Sequence, residues 1–585
     1  MTKLGALLLA ACFALPAAPA LADAGQPDRT PSELNSSERS AYREIFAAIR
    51  AGDWAKASAR MESMRDSPML HVARAELYTA KGSPKVELEP LLALLTQAPD
   101  LPEAEQIGRM AMTRGAISLP TMPQAQNLVW QGSQPRRSRA QSIRGDSVAA
   151  DLDRLVQPLI VDDKPAEAET LLSEREMEMS SDARAEFQQR IAWSYYLLGD
   201  DENALRLAEK ARAGTGEWTV HAAWVSGLAS WRKRDCSAAS NAFATVASRS
   251  GDIELIAAGN YWAARADTMC GHPERVQPRL RAAARMKETF YGLLANSALG
   301  VRAPGAAGLH DYGDAEWRRI GQKTNVRAAI GLAEIGEAAL ADRLIRHQAR
   351  IGGTADHDAL LHLSADLNLA STQFWLAHNA PRGANVNFAA RYPRPDWRPS
   401  KGWRVDQSLV FAHALQESNF RTDVVSPAGA QGLMQVRPGT AGDIARARGE
   451  PFERRQLNDP AQNMEFGQTF LEGLRDSYAT QGLLPKVIAA YNAGPVPIAE
   501  WNTRPGVDRS DPLLYIESIP YWETRGYVPI VLRNYWIYEE EAKKGSSSRV
   551  ALSQGLWPKF PGLPGATAVR IEPAQPARGL AYGTK

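Results

Sequence analysis

The sequence contains few of the residues that build metal centres and redox sites. It has three cysteines and nine histidines in 585 residues, and neither an H-E-x-x-H nor a C-x-x-C pattern occurs. The phosphate-binding pattern G-x-x-x-x-G-K-[ST] and the G-x-S-x-G elbow of serine hydrolases are also missing. These absences argue against a zinc hydrolase, a nucleotide enzyme and a serine hydrolase, and we expect neither a cofactor nor a bound metal.

Neither sign of charge dominates, and long apolar runs are scarce. Lysine and arginine number 68 against 66 acidic residues, which leaves a formal net charge of +2. The basic excess typical of nucleic-acid binders is therefore missing, and no nucleic-acid partner is expected. No stretch beyond the N-terminus approaches the roughly 18 apolar residues of a membrane helix, so we expect no integral membrane span. With 44% hydrophobic and 23% charged residues, most of the chain can fold around a core.

Residues 1–22 have the layout of an export signal. Lys3 is followed by an apolar stretch and then by small residues up to Ala22. We expect cleavage there and a periplasmic protein. Lipid anchoring at Cys12 is the weaker alternative, because the apolar stretch continues past that cysteine.

Removal of the signal leaves two cysteines, Cys236 and Cys270. An even pair in an oxidising compartment favours a structural disulfide. Spacing alone does not bring two Cα atoms within the roughly 7 Å that a disulfide needs, so two unpaired buried thiols stay the alternative.

Residues 23–390 are predicted to form an α-helical superhelix, and the whole protein is expected to be mainly α. Segments rich in Ala, Leu, Arg and Glu follow one another without the alternation of strands. Turns at Gly199, Arg234 and Gly271 are 35 and 37 positions apart, close to the roughly 34-residue period of helix-turn-helix repeats. The repeats are degenerate, so irregular helix pairs are expected rather than a regular array.

A change of composition marks two further boundaries. Three prolines lie between Arg391 and Pro399, which indicates a connecting loop. Residues 391–545 then have the length of one compact helical domain. From residue 546 to 585 proline, glycine and serine prevail, and we expect a mostly disordered tail apart from Leu552 to Phe560.

Glu417 is the candidate catalytic acid. Val410, Ala414 and Glu417 share one helix face, so the carboxyl group should be buried. Asn419 and the turn residues after it place Glu417 near the helix C-terminus, where the helix dipole disfavours another negative charge. Burial and dipole both raise a carboxyl pKa, as a general acid requires. His413, the only histidine of this domain, is expected to be structural.

Four blocks in this domain resemble the catalytic module of the soluble lytic transglycosylases, which have a goose-type lysozyme-like fold and cleave peptidoglycan. Two weaker blocks resemble the superhelix of the large, ring-shaped members. The blocks are Ala412–Phe420, Ser426–Gln435, Ala489–Gly494 and Ile519–Val528 in the module, and Asn260–Ala266 and Thr289–Ala295 in the array.

This resemblance implies a lytic transglycosylase that cuts the β-1,4 bond between N-acetylmuramic acid and N-acetylglucosamine and leaves a 1,6-anhydromuramyl end. Glu417 would act first as acid and then as base. Glycan strands would be the partner, with other cell-wall enzymes as further candidates. The remaining residues carried over by the resemblance are expected to contact the substrate: Ser426 and Gln435 through hydrogen bonds to the muramic sugar, Tyr491 by orienting the N-acetyl group or Glu417, and Met434, Asn492 and Glu523 in the cleft.

Two positions leave alternatives open. Val436 and Arg437 follow Gln435 where many family members have a methionine, so this part of the cleft could be more cationic. Glu523 could be a second catalytic carboxylate, although pairing with Arg525 favours a structural or binding role. A hydrolytic muramidase that uses both acids, and an inactive cell-wall scaffold, are therefore kept as alternative functions.

Overall fold

The computed structural model describes residues 32–301, 313–507 and 509–572. The expected export signal and Cys12 lie outside these residues. Within them the chain is mainly α-helical, as predicted, with four two-residue strands. No helix in the described ranges is both long and apolar enough to cross a membrane.

The N-terminal array consists of short helices joined by tight turns. Its first part contains α1 (Ser36–Ala51), α2 (Trp54–Glu62), α3 (Pro68–Thr79), α4 (Leu88–Gln97) and α5 (Ala104–Thr113). After an extended stretch follow α6 (Ser147–Val161), α7 (Pro165–Arg175), α8 (Ser181–Leu198), α9 (Asp201–Arg212), α10 (Trp218–Arg232), α11 (Cys236–Arg249), α12 (Ile253–Met269), α13 (Pro273–Ala284) and α14 (Phe290–Ala298). The last part is α15 (Asp314–Ile320), α16 (Thr324–Glu334), α17 (Ala338–Ile351), α18 (Thr354–Asp366) and α19 (Ala370–His378).

The predicted repeat turns share one local conformation. Gly199, Arg234 and Gly271 have φ angles of 84°, 61° and 73°, the left-handed region that ends a helix. Aspartates follow the first two turns and cap the next helix: Asp200 accepts a hydrogen bond from the amide of Asn203 and Asp235 from that of Ala238. Each such turn reverses the chain, so consecutive helices pack as antiparallel pairs.

The array closes on itself. One apolar core joins residues 34–116 to residues 320–390, so the first five helices pack against α16 to α19. The strand β1 (Val129–Trp130) strengthens this closure by pairing antiparallel with β2 (Asn379–Ala380). The helical array predicted over residues 23–390 is interrupted: residues 116–146 contain no helix, only β1, and run across the molecule.

The second helical domain, here called the module, begins after the proline-rich loop. It contains α20 (Gln407–Ser418), α21 (Pro438–Ala447), α22 (Pro460–Arg475), α23 (Leu484–Ala493), α24 (Pro495–Trp501), α25 (Pro512–Glu517) and α26 (Trp522–Glu541). Its core is continuous with that of α6 to α14. At this junction Gly506 touches the turn after α8 so closely that a Cβ would lie 2.5 Å from the carbonyl oxygen of Leu197. Only glycine fits such a contact.

The C-terminal stretch differs from the expected disordered tail. Residues 546–572 form α27 (Ser547–Ser553) and a small hairpin of β3 (Trp557–Pro558) and β4 (Ala568–Val569). Trp557 and Phe560 are buried in the core of the module, and the amide of Phe560 donates to the carbonyl of Gly482. Both aromatic residues lie in the segment Leu552 to Phe560 that was excepted from the expected disorder, whereas α27 begins before this segment and β4 lies after it. Residues 573–585 lie outside the described ranges.

Cys236 and Cys270 form a disulfide with a Cα–Cα distance of 5.6 Å. The bond links the start of α11 to the end of α12, across one antiparallel pair of the array. Of the two alternatives for these cysteines, the structure contains the bridged one.

Candidate active site

Glu417 lies in the last turn of α20, as its sequence context predicts. The helix ends at Ser418, and Asn419 caps it in the left-handed conformation with φ of 51°. Val410 and Ala414, on the same face, are fully buried, and Glu417 itself is half-buried. The carboxyl group therefore lies at the edge of the core, where α20 borders the cleft.

The environment of Glu417 favours its protonated form. Burial, the largest cause, and the negative charge of Glu523 together raise the pKa of the carboxyl group from its ordinary value of 4.5 to about 7. A hydrogen bond from Tyr527 acts in the opposite direction. A carboxyl group with this pKa can donate a proton at neutral pH and also take one back.

A buried chain of hydrogen bonds holds Glu417 from behind. The Tyr527 hydroxyl donates to Oε1 of Glu417 at 2.6 Å, and Nδ1 of His413 lies 2.8 Å from the same hydroxyl oxygen. Burial lowers the pKa of His413 to about 3, so its ring is neutral. When Glu417 is a carboxylate, the tyrosine proton points to it, and Nδ1 of His413 then donates to the Tyr527 oxygen. His413 is thus a structural histidine that also orients a contact of the acid.

One wall of the cleft is a tight loop between α20 and α21. Ser426 accepts a hydrogen bond from the amide of Ala430 at 3.0 Å, and the Gln435 side chain donates to the carbonyls of Val424 and Gly432. Gln435 has a φ of 49°, so the loop turns sharply there. These bonds fix the serine hydroxyl and the glutamine carbonyl at the cleft surface.

Met434 differs from its expected role as a substrate contact. Its side chain is 0% exposed and packs on α22 next to Gly467, where a Cβ would lie 2.3 Å from the methionine sulfur. Its main chain makes the polar contacts instead: the amide donates to the side-chain oxygen of Asn463, and the carbonyl accepts from the Tyr491 hydroxyl at 2.8 Å. Met434 therefore positions Tyr491 rather than touching a ligand.

Tyr491 and Asn492 both line the cleft, but their polar groups are partly engaged. The hydroxyl of Tyr491 donates to Met434, so Tyr527 has the contact with Glu417 that Tyr491 was expected to make. The Asn492 carbonyl accepts from Thr524 at 2.6 Å, which leaves the amide NH₂ group for the cleft. Tyr527 and Thr524 lie in the fourth sequence block, more than 100 positions from Glu417, and were not singled out as site residues.

The expected pairing of Glu523 with Arg525 is wrong. Both residues lie on α26 two positions apart, so their side chains diverge. The Arg525 guanidinium donates to the carbonyl of Ile519 and lies 4.3 Å from the centre of the Trp193 ring. Glu523 is exposed and, among the described residues, has neither a hydrogen bond nor an ion pair. It faces the cleft as a free carboxylate.

These side chains surround a cleft of about 720 Å³. Glu417, Ser426, Gln435, Tyr491, Asn492 and Glu523 all line it, so the structure brings together every predicted site residue except Met434. Arg437 also lines the cleft, which agrees with the more cationic character expected at that position. In the described part of the chain no group of three or more His, Cys, Asp or Glu residues could hold a metal ion.

Fold and site together define a class: a closed α-helical array that carries a compact module, with one half-buried carboxyl group of raised pKa in a cleft. Residues 398–511 match the family model described as "Transglycosylase SLT domain". The matched residues contain three of the four sequence blocks, Ala412–Phe420, Ser426–Gln435 and Ala489–Gly494, so the model match and the resemblance of the blocks agree.

Individual relatives support the same assignment. The soluble lytic murein transglycosylases of Salmonella typhimurium and Escherichia coli K12 are each 38% identical over 137 residues, which is 23% of this chain and 21% of the relative. The membrane-bound lytic murein transglycosylase C of Actinobacillus succinogenes is 32% identical over 175 residues, 27% of this chain and 48% of that protein. The alignment thus spans about a fifth of the length of the first two relatives.

Solved structures extend the likeness to the whole fold. The 70 kDa soluble lytic transglycosylase from Escherichia coli matches with a TM-score of 0.53 and 18% identity, over 89% of this chain and 99% of that one. An inactive mutant of the lytic transglycosylase Slt from Pseudomonas aeruginosa matches with a TM-score of 0.53 and 19% identity, over 88% of each chain. At this identity the matches establish the fold, including the array outside the SLT domain.

Proposed function

We propose that the protein is a peptidoglycan lytic transglycosylase that uses Glu417 as its single catalytic acid and base. The observation that carries the proposal is one half-buried carboxyl group with a pKa raised to about 7, in a cleft of an SLT domain. The names of the relatives, which are lytic murein transglycosylases, support the same substrate.

The first step breaks the glycosidic bond. Protonated Glu417 gives its proton to the oxygen that links C1 of N-acetylmuramic acid to the next sugar, and the C1–O bond breaks. The substrate's own N-acetyl oxygen then stabilises the positive charge at C1, so a second protein carboxylate is not needed, in contrast to most glycosidases. The leaving strand departs with the proton on its new hydroxyl group.

The second step closes a ring without water. Glu417, now a carboxylate, removes the proton from the C6 hydroxyl of the same sugar, and that oxygen bonds to C1. The two reacting atoms belong to the same sugar residue, so proximity favours this attack over that of a water molecule. Glu417 ends protonated, ready for another cycle, and no atom is gained or lost.

The surrounding groups supply binding and orientation. We assign to Ser426 and the Gln435 carbonyl the hydrogen bonds to the muramic sugar, and to the free NH₂ group of Asn492 a bond to the N-acetyl oxygen. Tyr491 contributes its ring to the cleft wall. Glu523 is exposed at the cleft, where we assign it a substrate contact and a charge that keeps Glu417 protonated.

The substrate implies where the protein acts. Peptidoglycan lies outside the cytoplasmic membrane, and the N-terminal sequence has the layout of an export signal, so we infer a periplasmic location with glycan strands as the partner.

Analysis of the reaction products tests the proposal. Purified sacculi are digested with the full chain, and the soluble fragments are measured by mass spectrometry. Anhydromuramyl ends are expected. Fragments heavier by one water would show a hydrolytic muramidase, and no release at all would show an inactive scaffold.

A further inference from the structure

The contact that closes the array carries many charged side chains. We call it the closure seam: α1 to α5 and β1, with the residues beside them, lie against α16 to α19 and β2. Five ion pairs cross this seam: Arg39–Glu334, Arg50–Glu337, Arg327–Glu33, Arg343–Glu76 and Arg343–Glu103. Their arginines are 36 to 60% exposed, so water and salt screen each pair. The ion pairs alone therefore hold the seam only weakly.

Two histidines from the last part of the array lie at the seam. His347 on α17 is half-buried, and the carboxylate of Asp100, in the loop between α4 and α5, acts on it from across the seam. His378 at the end of α19 is 2% exposed, and its ring stacks on that of Trp130 in β1 with 5.2 Å between the ring centres. Neither histidine lines the catalytic cleft. Their protonation therefore bears on the closure of the array rather than on the chemistry at Glu417.

Burial keeps the His347 ring neutral in the closed array. Its pKa is lowered from the ordinary value of 6.5, mainly because the ring is removed from water. Asp100 and Glu105, from the first part of the array, favour protonation, whereas Arg350 on α17 itself opposes it. A hydrogen bond to the main chain of Asp100 also favours the protonated ring, but burial outweighs these effects. Opening of the seam returns the ring to water and removes this penalty.

Asp100 joins the two sides of the seam. Its main-chain carbonyl accepts a hydrogen bond from Asn325 of α16 at 2.7 Å. Burial raises the pKa of its carboxyl group, and the nearby His347, His71 and Lys323 act in the opposite direction. The raised pKa of this acid opposes opening as the pH approaches the ordinary value of 3.8. An effect of the histidines is therefore to be sought at about pH 5.5, between the ordinary pKa values of the two residue types.

His378 holds the strand pair β1–β2 together. Its Nδ1 lies 2.8 Å from the carbonyl oxygen of Phe374, and its own carbonyl accepts from the amide of Gln131 at 2.9 Å. Burial lowers the pKa of the ring, and the positive charge of Arg391 lowers it as well. Arg391 binds Glu288 at 3.2 Å and donates to the carbonyl of Gln131 at 2.9 Å. A proton on His378 thus places a second cation near Arg391, at the residue that both of them hold.

The sign of the pH effect follows from these lowered pKa values. A histidine that resists protonation in the closed array favours closure above its ordinary pKa of 6.5, and this contribution is lost as the pH falls below that value. At about pH 5.5 a histidine in water carries a proton about ten times as often as not. Each of the two histidines can therefore shift the opening equilibrium by up to about tenfold, and both together by up to about a hundredfold.

We propose that the closure seam is an acid-operated latch, in which protonation of His347 and His378 releases α1 to α5 from α16 to α19 while the rest of the chain stays folded. The core that α6 to α14 share with the module lies outside the seam, and so does the disulfide between Cys236 and Cys270. The latch goes beyond the proposed function and does not depend on it, because neither histidine contacts the catalytic acid.

Hydrogen exchange on the full chain, followed by mass spectrometry at about pH 7.5 and pH 5.5 and corrected for the intrinsic exchange rate, tests the latch. The reporters are the amides of Gln126 and Gln131, which donate across the seam to the carbonyls of Arg350 and His378 at 2.9 Å each. Segments of α11 and α12 serve as the internal reference.

The variant His347→Gln/His378→Gln keeps polar side chains at both positions and removes their titration. His272→Gln is the matched control, because this histidine is 45% exposed next to α13 and lies outside the seam.

Wild type should lose at least about tenfold of its protection at the seam reporters on acidification, with α11 and α12 unchanged within about twofold. The double variant should lose less than about threefold, and His272→Gln should behave as wild type. Constant protection at the seam of wild type, an equal loss in the double variant, or an equal loss in α11 and α12 overturns the latch. If the double variant does not fold at neutral pH, the two single variants are measured, and each should lose less protection than wild type.

Discussion

Replacing Tyr527 with Phe should move the pH dependence of the reaction to higher pH. The phenol donates the only protein hydrogen bond to Glu417 recorded among the described residues, at 2.6 Å, and this bond favours the charged carboxylate. A hydrogen bond to a charged group contributes about 1.5–3 kcal/mol, and one pKa unit corresponds to about 1.4 kcal/mol. Since protonated Glu417 keeps part of the bond, we expect its pKa to rise by about one unit, from about 7.

The assay is the pH profile of kcat/KM on soluble glycan fragments. Glu417 has to be protonated to start the reaction, so activity falls as pH rises through its pKa, and Tyr527→Phe should shift that fall upward by about one unit. Tyr491→Phe is the matched control, because its hydroxyl binds Met434 rather than Glu417. It should leave the midpoint within a few tenths of a unit. A midpoint that stays in place or moves downward in Tyr527→Phe refutes the argument.

Four further outcomes follow from the same structure. Glu523→Gln removes a charge that raises the Glu417 pKa, so the fall in activity should move to lower pH; loss of all activity at every pH would instead indicate a second catalytic carboxylate. Glu417→Gln should reduce release from sacculi by about 10²–10⁴-fold, and residual activity above a tenth of wild type would exclude Glu417 as the acid. The pKa of Glu417 is higher in the folded than in the unfolded protein. Its contribution to the free energy of unfolding is therefore fully present below pH 4.5 and is lost as pH rises through about 7. Glu417→Gln should have a higher melting temperature than wild type at pH 8 and the same one at pH 4, which thermal scans can check. Cys270→Ser removes a disulfide with a sequence separation of 34 and should lower the free energy of unfolding by about 3–4 kcal/mol, measured by denaturant titration. An unchanged denaturant midpoint would contradict a stabilising disulfide.

Local features of the fold were predictable because they depend on neighbours in sequence. The turns at Gly199 and Arg234 follow from a left-handed residue and an aspartate cap, and the buried face of α20 follows from the spacing of Val410, Ala414 and Glu417. Closure of the array was not predictable in this way, since it joins residues 34–116 to residues 320–390. The apolar periodicity within each stretch does not indicate which other part of the chain will cover its apolar face.

The residues of the candidate site also divide into those that the local sequence predicts and those that depend on distant parts of the chain. Glu417 and its raised pKa could be derived from one helix. The burial of Met434 could not, because a loop has no regular period and the space for the side chain is left by Gly467 on another helix. The role of Tyr527 depends on α26 crossing behind α20. The divergence of Glu523 and Arg525, by contrast, was available from sequence, since residues two apart on a helix do not face each other.

The junction between array and module fixes where the chemistry takes place. Glu517 is 1% exposed and receives hydrogen bonds from Arg137 and Tyr291, and Asp511 binds Arg265 at 2.7 Å; all three donors belong to the array. Separation of the two parts would leave buried acids without counterions, which costs several kcal/mol for each charge. These ion pairs therefore hold the module against the array. Under the proposed function, a glycan strand would be cut at a point that is fixed relative to the array.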